Sequence, residues 1–138
     1  FSIATLSNFE SIMGLQFENL VLHNRNLIKK ALNIDFTDVI YDSPFVQKRK
    51  NNQKGLQIDY LIQTRFNSLY LCEVKFSKNE ISPIVIDQVK EKISRFKYPK
   101  GFSVLPVLIH INGISSKIKE ENFFAKTIDF SKLLEDSR

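Results

Sequence analysis

Apolar residues recur at helical spacing over residues 9–32, where Phe9, Ile12, Met13, Phe17, Leu20, Leu27, Ile28 and Ala31 mark one long helix. Ser7 or Asn8 is available as its N-cap and Asn33 as the residue that ends it. Residues 39–47 read as a first strand, part of which Pro44 confines to a sheet edge or a bend. Leu56, Ile58, Tyr60 and Ile62 then alternate with Gln57, Asp59, Leu61 and Gln63, as in a strand with one face in the core. Alternation resumes over residues 69–76. The intervening Arg65-Phe66-Asn67-Ser68 has room only for a hairpin, so these two strands pair antiparallel.

After Ser82-Pro83, where proline suits a first helical turn, Ile86, Val89, Ile93 and Phe96 mark a second helix that ends near Tyr98-Pro99-Lys100-Gly101. The continuous apolar run 102–111 fits a central strand buried on both faces. A helix separates it from the strand over 69–76, so the two run parallel. Beyond Asn112-Gly113 follow a short helix, a strand around residues 123–128 and a terminal helical turn from Ser131. The outline is α-β-β-β-α-β with a small αβ addition: an α/β fold with a mixed sheet flanked by helices.

The turn between the paired strands decides which side chains meet, because a shift of one residue in register turns every side chain over. An even-length loop sets Asp59 opposite Val74, and a three-residue loop pairing Arg65 with Leu69 sets it opposite Lys75. The expectation is therefore an odd-length turn or a bulge, with Asn67 or Ser68 in the left-handed region.

The chain of 138 residues, 43% hydrophobic, suffices for one domain with a core, residues 1–138. Its opening on Phe1 leads to the expectation of excision from something longer. A formal charge of +5 suits a polyanionic partner without requiring one. The single cysteine, Cys72, excludes an internal disulfide and fits a buried, reduced thiol in the cytoplasm. No apolar run reaches the ~20 residues needed to span a bilayer, so no membrane partner is expected. Walker motif, glycine-rich phosphate loop and nucleophile elbow are all missing, which argues against ATP binding by these residues.

Candidate chemistry sits where ionised groups interrupt the apolar strands, since a charge on a half-buried strand is costly unless paired or bound to a metal. Glu73 and Lys75 are two apart and share a face, while Val74 points the other way into the core. If Asp59 joins them, two carboxylates and the Val74 carbonyl offer the hard oxygen donors that Mg²⁺ or Mn²⁺ prefers. Lys75 is placed to orient the attacking water and offset charge at a phosphoryl group.

These residues resemble the motif of the PD-(D/E)xK nuclease superfamily, an Asp on the second strand followed by Glu-x-Lys on the third, here Asp59 and Glu73-Val74-Lys75. The resemblance covers about residues 9–112 and implies a restriction-endonuclease-like core and metal-dependent cleavage of nucleic acid, duplex DNA foremost. It also implies an acidic residue from the first helix, matched by Glu18, and a Gln or basic residue from the following helix, matched by Gln88 or Lys92. The family's proline before the Asp is replaced by Ile58. More narrowly, the chain is similar to the C-terminal domain of bacterial and archaeal AAA-type ATPases, which implies an N-terminal ATPase partner in the same chain.

Other readings stand beside this one. Asp59 also suits a strand-end turn cap, and Glu73 with Lys75 an exposed ion pair of little energetic consequence. Glu18 lies roughly 140° from the centre of its helix's apolar stripe, as a solvated glutamate would. Gln88 shares the polar side of its helix with Lys92 and Arg95. His23 and His110 lack companions at zinc-site spacing. The loop Lys48-Arg49-Lys50-Asn51-Asn52-Gln53-Lys54 reads as solvated, yet together with Lys78, Lys90, Lys92, Arg95, Lys97 and Lys100 it can frame a basic groove. An inactive nuclease-like module that binds DNA or protein, or homo-oligomerisation through a sheet edge, are the alternatives to an enzyme.

Overall fold

The structure is a computed structural model that describes residues 3–137, with side-chain surroundings from Asn8 onward. Its centre is a five-stranded mixed sheet in the order β1-β2-β3-β4-β5: β1 Val39–Gln47, β2 Leu56–Thr64, β3 Ser68–Lys75, β4 Ser103–His110 and β5 Lys126–Asp129. β1 to β3 form an antiparallel meander, and β3, β4 and β5 run parallel. Helices α1 (Ile3–His23), α2 (Arg25–Ala31) and α5 (Phe130–Asp136) contribute to a core on one face. Helices α3 (Ile84–Arg95) and α4 (Ser116–Glu121) contribute to a core on the other. The fold is thus α/β with helices flanking the sheet, and α3 joins the parallel pair β3 and β4 as expected.

The helix expected over residues 9–32 is two helices. Asn24 breaks it at φ −116°, ψ 29°, where its side-chain amide donates to the Leu20 carbonyl at 2.9 Å and takes that group out of the helical ladder. Asn33 does end the second piece. It sits at φ 58°, its N–H donates to Lys30 O, and the Ile34 N–H reaches back to Lys29 O, a Schellman pattern that satisfies the last carbonyls. Ser7 and Asn8 are not caps, because α1 already begins at Ile3. The run 102–111 is less uniform than its composition suggests: Ser103 is exposed and Val104, Leu105 and Pro106 half-buried, whereas Val107 to His110 are buried.

Two departures concern the strands that carry the candidate residues. The turn is odd, three residues between Thr64 and Ser68, with Asn67 left-handed at φ 59°. The register lies two residues from the expected one: Leu61 faces Leu71 and Tyr60 faces Cys72, so the row carries on to Asp59 beside Glu73 rather than Lys75. The second departure is a bulge in β2. Ser43 pairs with Leu61 and Phe45 with Ile58, leaving Asp59 and Tyr60 together opposite Pro44. The simple alternation of Leu56, Ile58, Tyr60 and Ile62 is therefore wrong. Leu56 and Ile58 enter the α3-side core, whereas Tyr60 and Ile62 enter the other.

Candidate active site at the carboxyl end of β3

Leu69 and Leu71 fill the α3-side core, and Glu73 and Lys75 continue that face of β3 beyond it. Val74 turns the other way, into the α1-side core. From α3, Val85, Ile86 and Val89 dock on the sheet, which leaves Gln88, Glu91, Lys92 and Arg95 at i, i+3, i+4 and i+7 along the helix's other edge. Between strand and helix lies an open cleft of about 520 Å³ lined by Asp59, Glu73, Val74, Lys75 and the four α3 residues. Two of the latter, Glu91 and Arg95, also pair with each other at 2.8 Å.

The bulge brings Asp59 into this cleft. One rung past Tyr60 and Cys72, its Oδ2 accepts a hydrogen bond from the Val74 N–H at 2.9 Å, so the carboxylate fixes the backbone between the two other motif residues. Glu73 is buried, 5% exposed, and accepts from Lys92 Nζ at 2.7 Å. Lys75 Nζ reaches Gln88 Oε1 at 3.4 Å. Burial pushes the Asp59 carboxyl up from 3.8 to about 7, and the Glu73 charge adds to the rise, although the Val74 N–H and Lys92 both favour the ionised form. Near neutrality this cleft therefore carries either a proton on Asp59 or a second negative charge that asks for a cation.

Of the sequence-predicted residues, Asp59, Glu73, Val74, Lys75 and Gln88 come together here. Glu18 does not line the cleft; it is half-buried on α1, whose core lies on the opposite face of the sheet. Neither His23 nor His110 belongs to a group of three or more His, Cys, Asp or Glu suited to a metal, and no such group exists among the described residues. His110 is buried and its Nδ1 has no hydrogen-bond partner; burial pushes its pKa below the ordinary value. Cys72 is fully buried and unpaired, and its thiol is pushed up by that burial. Among the described residues no helix is long and apolar enough to cross a membrane.

Sequence reasoning named Lys92 but not its partner. The ion pair with Glu73 follows from the register of α3 against β3, and the only sequence trace of it is the stripe 88, 91, 92, 95. The basic residues grouped as one groove also separate. Lys48 and Arg49 share a depression with Lys92 and Arg95, Lys54 and Lys97 line an adjoining crevice, and Lys78 and Lys90 lie over the rings of Phe9 and Phe123.

Two carboxylates and the carbonyl of Val74, which lines the cleft, make a donor set of hard oxygens, which fits Mg²⁺ or Mn²⁺ with water completing the shell. A cationic ammonium already resting on Glu73 marks the place as one where positive charge is stable. Lys75 and Gln88 add a cation and an amide at the rim. Comparison of the chain with models of protein families, with curated proteins and with solved structures finds no match.

Proposed function

We propose that this chain is a metal-dependent nuclease domain of the PD-(D/E)xK type, hydrolysing the phosphodiesters of nucleic acid, DNA in the first place, and working in the cytoplasm as part of a longer chain that carries an AAA-type ATPase. The observation that carries the reading is the convergence of Asp59, Glu73 and Lys75 in one cleft at the end of β3. The element order, helix, three-stranded meander, helix and parallel strand, supports a restriction-endonuclease-like core.

Asp59, Glu73 and the Val74 carbonyl would hold Mg²⁺ or Mn²⁺; Glu18, outside the lining, is not needed. When bound, the cation supplies Lewis acidity toward the phosphoryl oxygens and the attacking water. The chain's own residues do the rest. Lys75, steadied by Gln88, orients the water in line with the scissile bond and offsets the charge gathering on the phosphoryl oxygens. One P–O bond forms to that water, which gives up a proton to solvent, while the opposite ester bond breaks and its departing oxygen takes a proton from solvent to leave as a hydroxyl. Asp59 holds the backbone of Val74, and with it the spacing between Glu73 and Lys75.

Calorimetric titration of Mn²⁺ into the wild-type chain and into Asp59→Ala tests this, alongside nicking of supercoiled DNA. Expected are binding and nicking that both vanish in the variant. A folded wild type that takes up no Mn²⁺ overturns the proposal. The Lys92–Glu73 pair favours one second reading, in which the lysine replaces the cation permanently and the domain binds DNA or protein without cutting. That reading predicts no Mn²⁺ binding by the wild type.

A further inference from the structure

The cleft continues past Asp59 into a second depression of about 600 Å³ that shares Asp59, Lys92 and Arg95 with it and runs out to Lys48 and Arg49 in the β1–β2 loop. Asp59 is the single acidic residue of that lining, against four cations, and no aromatic side chain contributes to it. Lys92 and Arg95 are engaged with Glu73 and Glu91, but none of the ion pairs among the described residues involves Lys48 or Arg49, which are both exposed.

The loop that carries them is not loose. Gln47, 7% exposed, spends its whole side-chain amide on holding it: Nε2 donates to Lys54 O and to Arg95 O, each at 2.8 Å, and Oε1 accepts from Lys97 N at 2.8 Å. Arg95 Nη1 donates to Gly55 O at 3.0 Å. Within the loop, Lys50 and Gln53 exchange backbone hydrogen bonds, and Gln53 Nε2 donates to Lys48 O at 2.7 Å. The strand end, the loop and the end of α3 are thereby one fixed unit, and a fixed unit loses little entropy when it closes on a partner.

From this geometry we infer that the β1–β2 loop and the end of α3 form a phosphate clamp, which grips the backbone of a nucleic-acid duplex on one side of the cleft. The inference rests on the nuclease reading and adds the flank on which the substrate lies. The clamp recognises charge: Arg and Lys contact phosphate oxygens, and a lining without aromatic rings offers unpaired bases nothing to stack on. Binding is accordingly independent of base sequence, indifferent to metal, and stronger for duplex than for single strand.

The test is fluorescence anisotropy with a labelled DNA duplex and its single strand in EDTA, over a salt series, for the wild type and for Lys48→Ala/Arg49→Ala. Two lost phosphate contacts should lower the slope of log affinity against log salt by about 1.8 and weaken duplex binding at about 0.1 M salt by roughly tenfold or more. Mn²⁺ titration of the double variant should match the wild type. Equal affinity and slope in the two proteins, tighter binding of the single strand, or no duplex binding by the wild type overturns the clamp. If the wild type binds duplex through the loop yet takes up no Mn²⁺, the clamp stands and the nuclease reading falls.

Discussion

Replacing Asp59 by asparagine should make the metal-free protein more stable at alkaline pH while abolishing its affinity for Mn²⁺. In the folded chain burial and the neighbouring Glu73 hold this carboxyl at about 7, against 3.8 when it is free. The folded state thus holds the proton more tightly than the unfolded one. Its stabilising effect is complete below about pH 3.8 and is lost as pH rises through 7. The full span corresponds to about 4 kcal/mol, and screening by water in the open cleft reduces what is measurable between pH 5 and pH 8 to about 2 kcal/mol. Asparagine keeps an oxygen for the Val74 N–H and cannot ionise. Urea denaturation in EDTA at closely spaced pH should show the variant's advantage over the wild type growing by about 2 kcal/mol between pH 5 and pH 8. Taking the difference between the curves removes the opposite contribution of His110, which burial holds neutral and which costs stability as pH falls. An advantage that does not grow over this range would refute the picture of two carboxylates forced together.

Lys92→Met removes the ammonium that occupies Glu73 Oε1, so Mn²⁺ no longer has to displace it; calorimetry should show affinity up by roughly tenfold, about 1.4 kcal/mol, and weaker binding would count against the counter-ion role. Gln47→Ala orphans two carbonyls and one N–H at the clasp between the β1–β2 loop and α3, and should cost about 2–3 kcal/mol in urea denaturation; a loss below about 0.5 kcal/mol would mean the clasp is not closed in solution. Lys75→Met should leave the Kd for Mn²⁺ within about threefold while lowering DNA nicking by about a hundredfold or more, and a parallel loss of metal would move Lys75 from the reaction to the binding site.

The site was legible in the sequence to the extent that chemistry conflicted with patterning. Glu73 and Lys75 stand where a strand should have stayed apolar, and no local preference explains them; the structure answers with a cleft beside α3. Strand extents followed closely from periodicity, and Asn33, Asn67 and Pro83 marked the end of α2, the hairpin turn and the start of α3, whereas α1 begins at Ile3, ahead of the expected caps, and α3 ends at Arg95, short of Tyr98. Asn24 did not stand out, because an asparagine inside a periodic run is common and breaks the helix only when its amide turns back on Leu20 O. The Glu73–Lys92 pair was hidden for a different reason. It joins groups 19 residues apart, and its geometry depends on how α3 docks rather than on any local signal.

The bulge in β2 was missed because alternation is counted within a strand, whereas the bulge answers to two cores at once. Unbroken, the strand would send Leu56, Ile58, Tyr60 and Ile62 to one face and Asp59 and Leu61 to the other. Leu61 is aligned with Leu71 in the α3-side core, so Leu56 and Ile58 would then be driven out of that core toward the opposite face. Displacing two such side chains costs roughly 1.5–3 kcal/mol each, while a bulge forfeits one rung of the ladder at about 1 kcal/mol. The hydrophobic effect therefore selects the bulge. It falls opposite Pro44, which has no N–H to contribute to a rung, so the ladder loses least there. Asp59 is one of the two residues the bulge accommodates, and its approach to Glu73 is a consequence of packing Leu56, Ile58 and Leu61 together. On this argument Pro44 and Asp59 belong to one structural device, although they lie on different strands and share no chemistry.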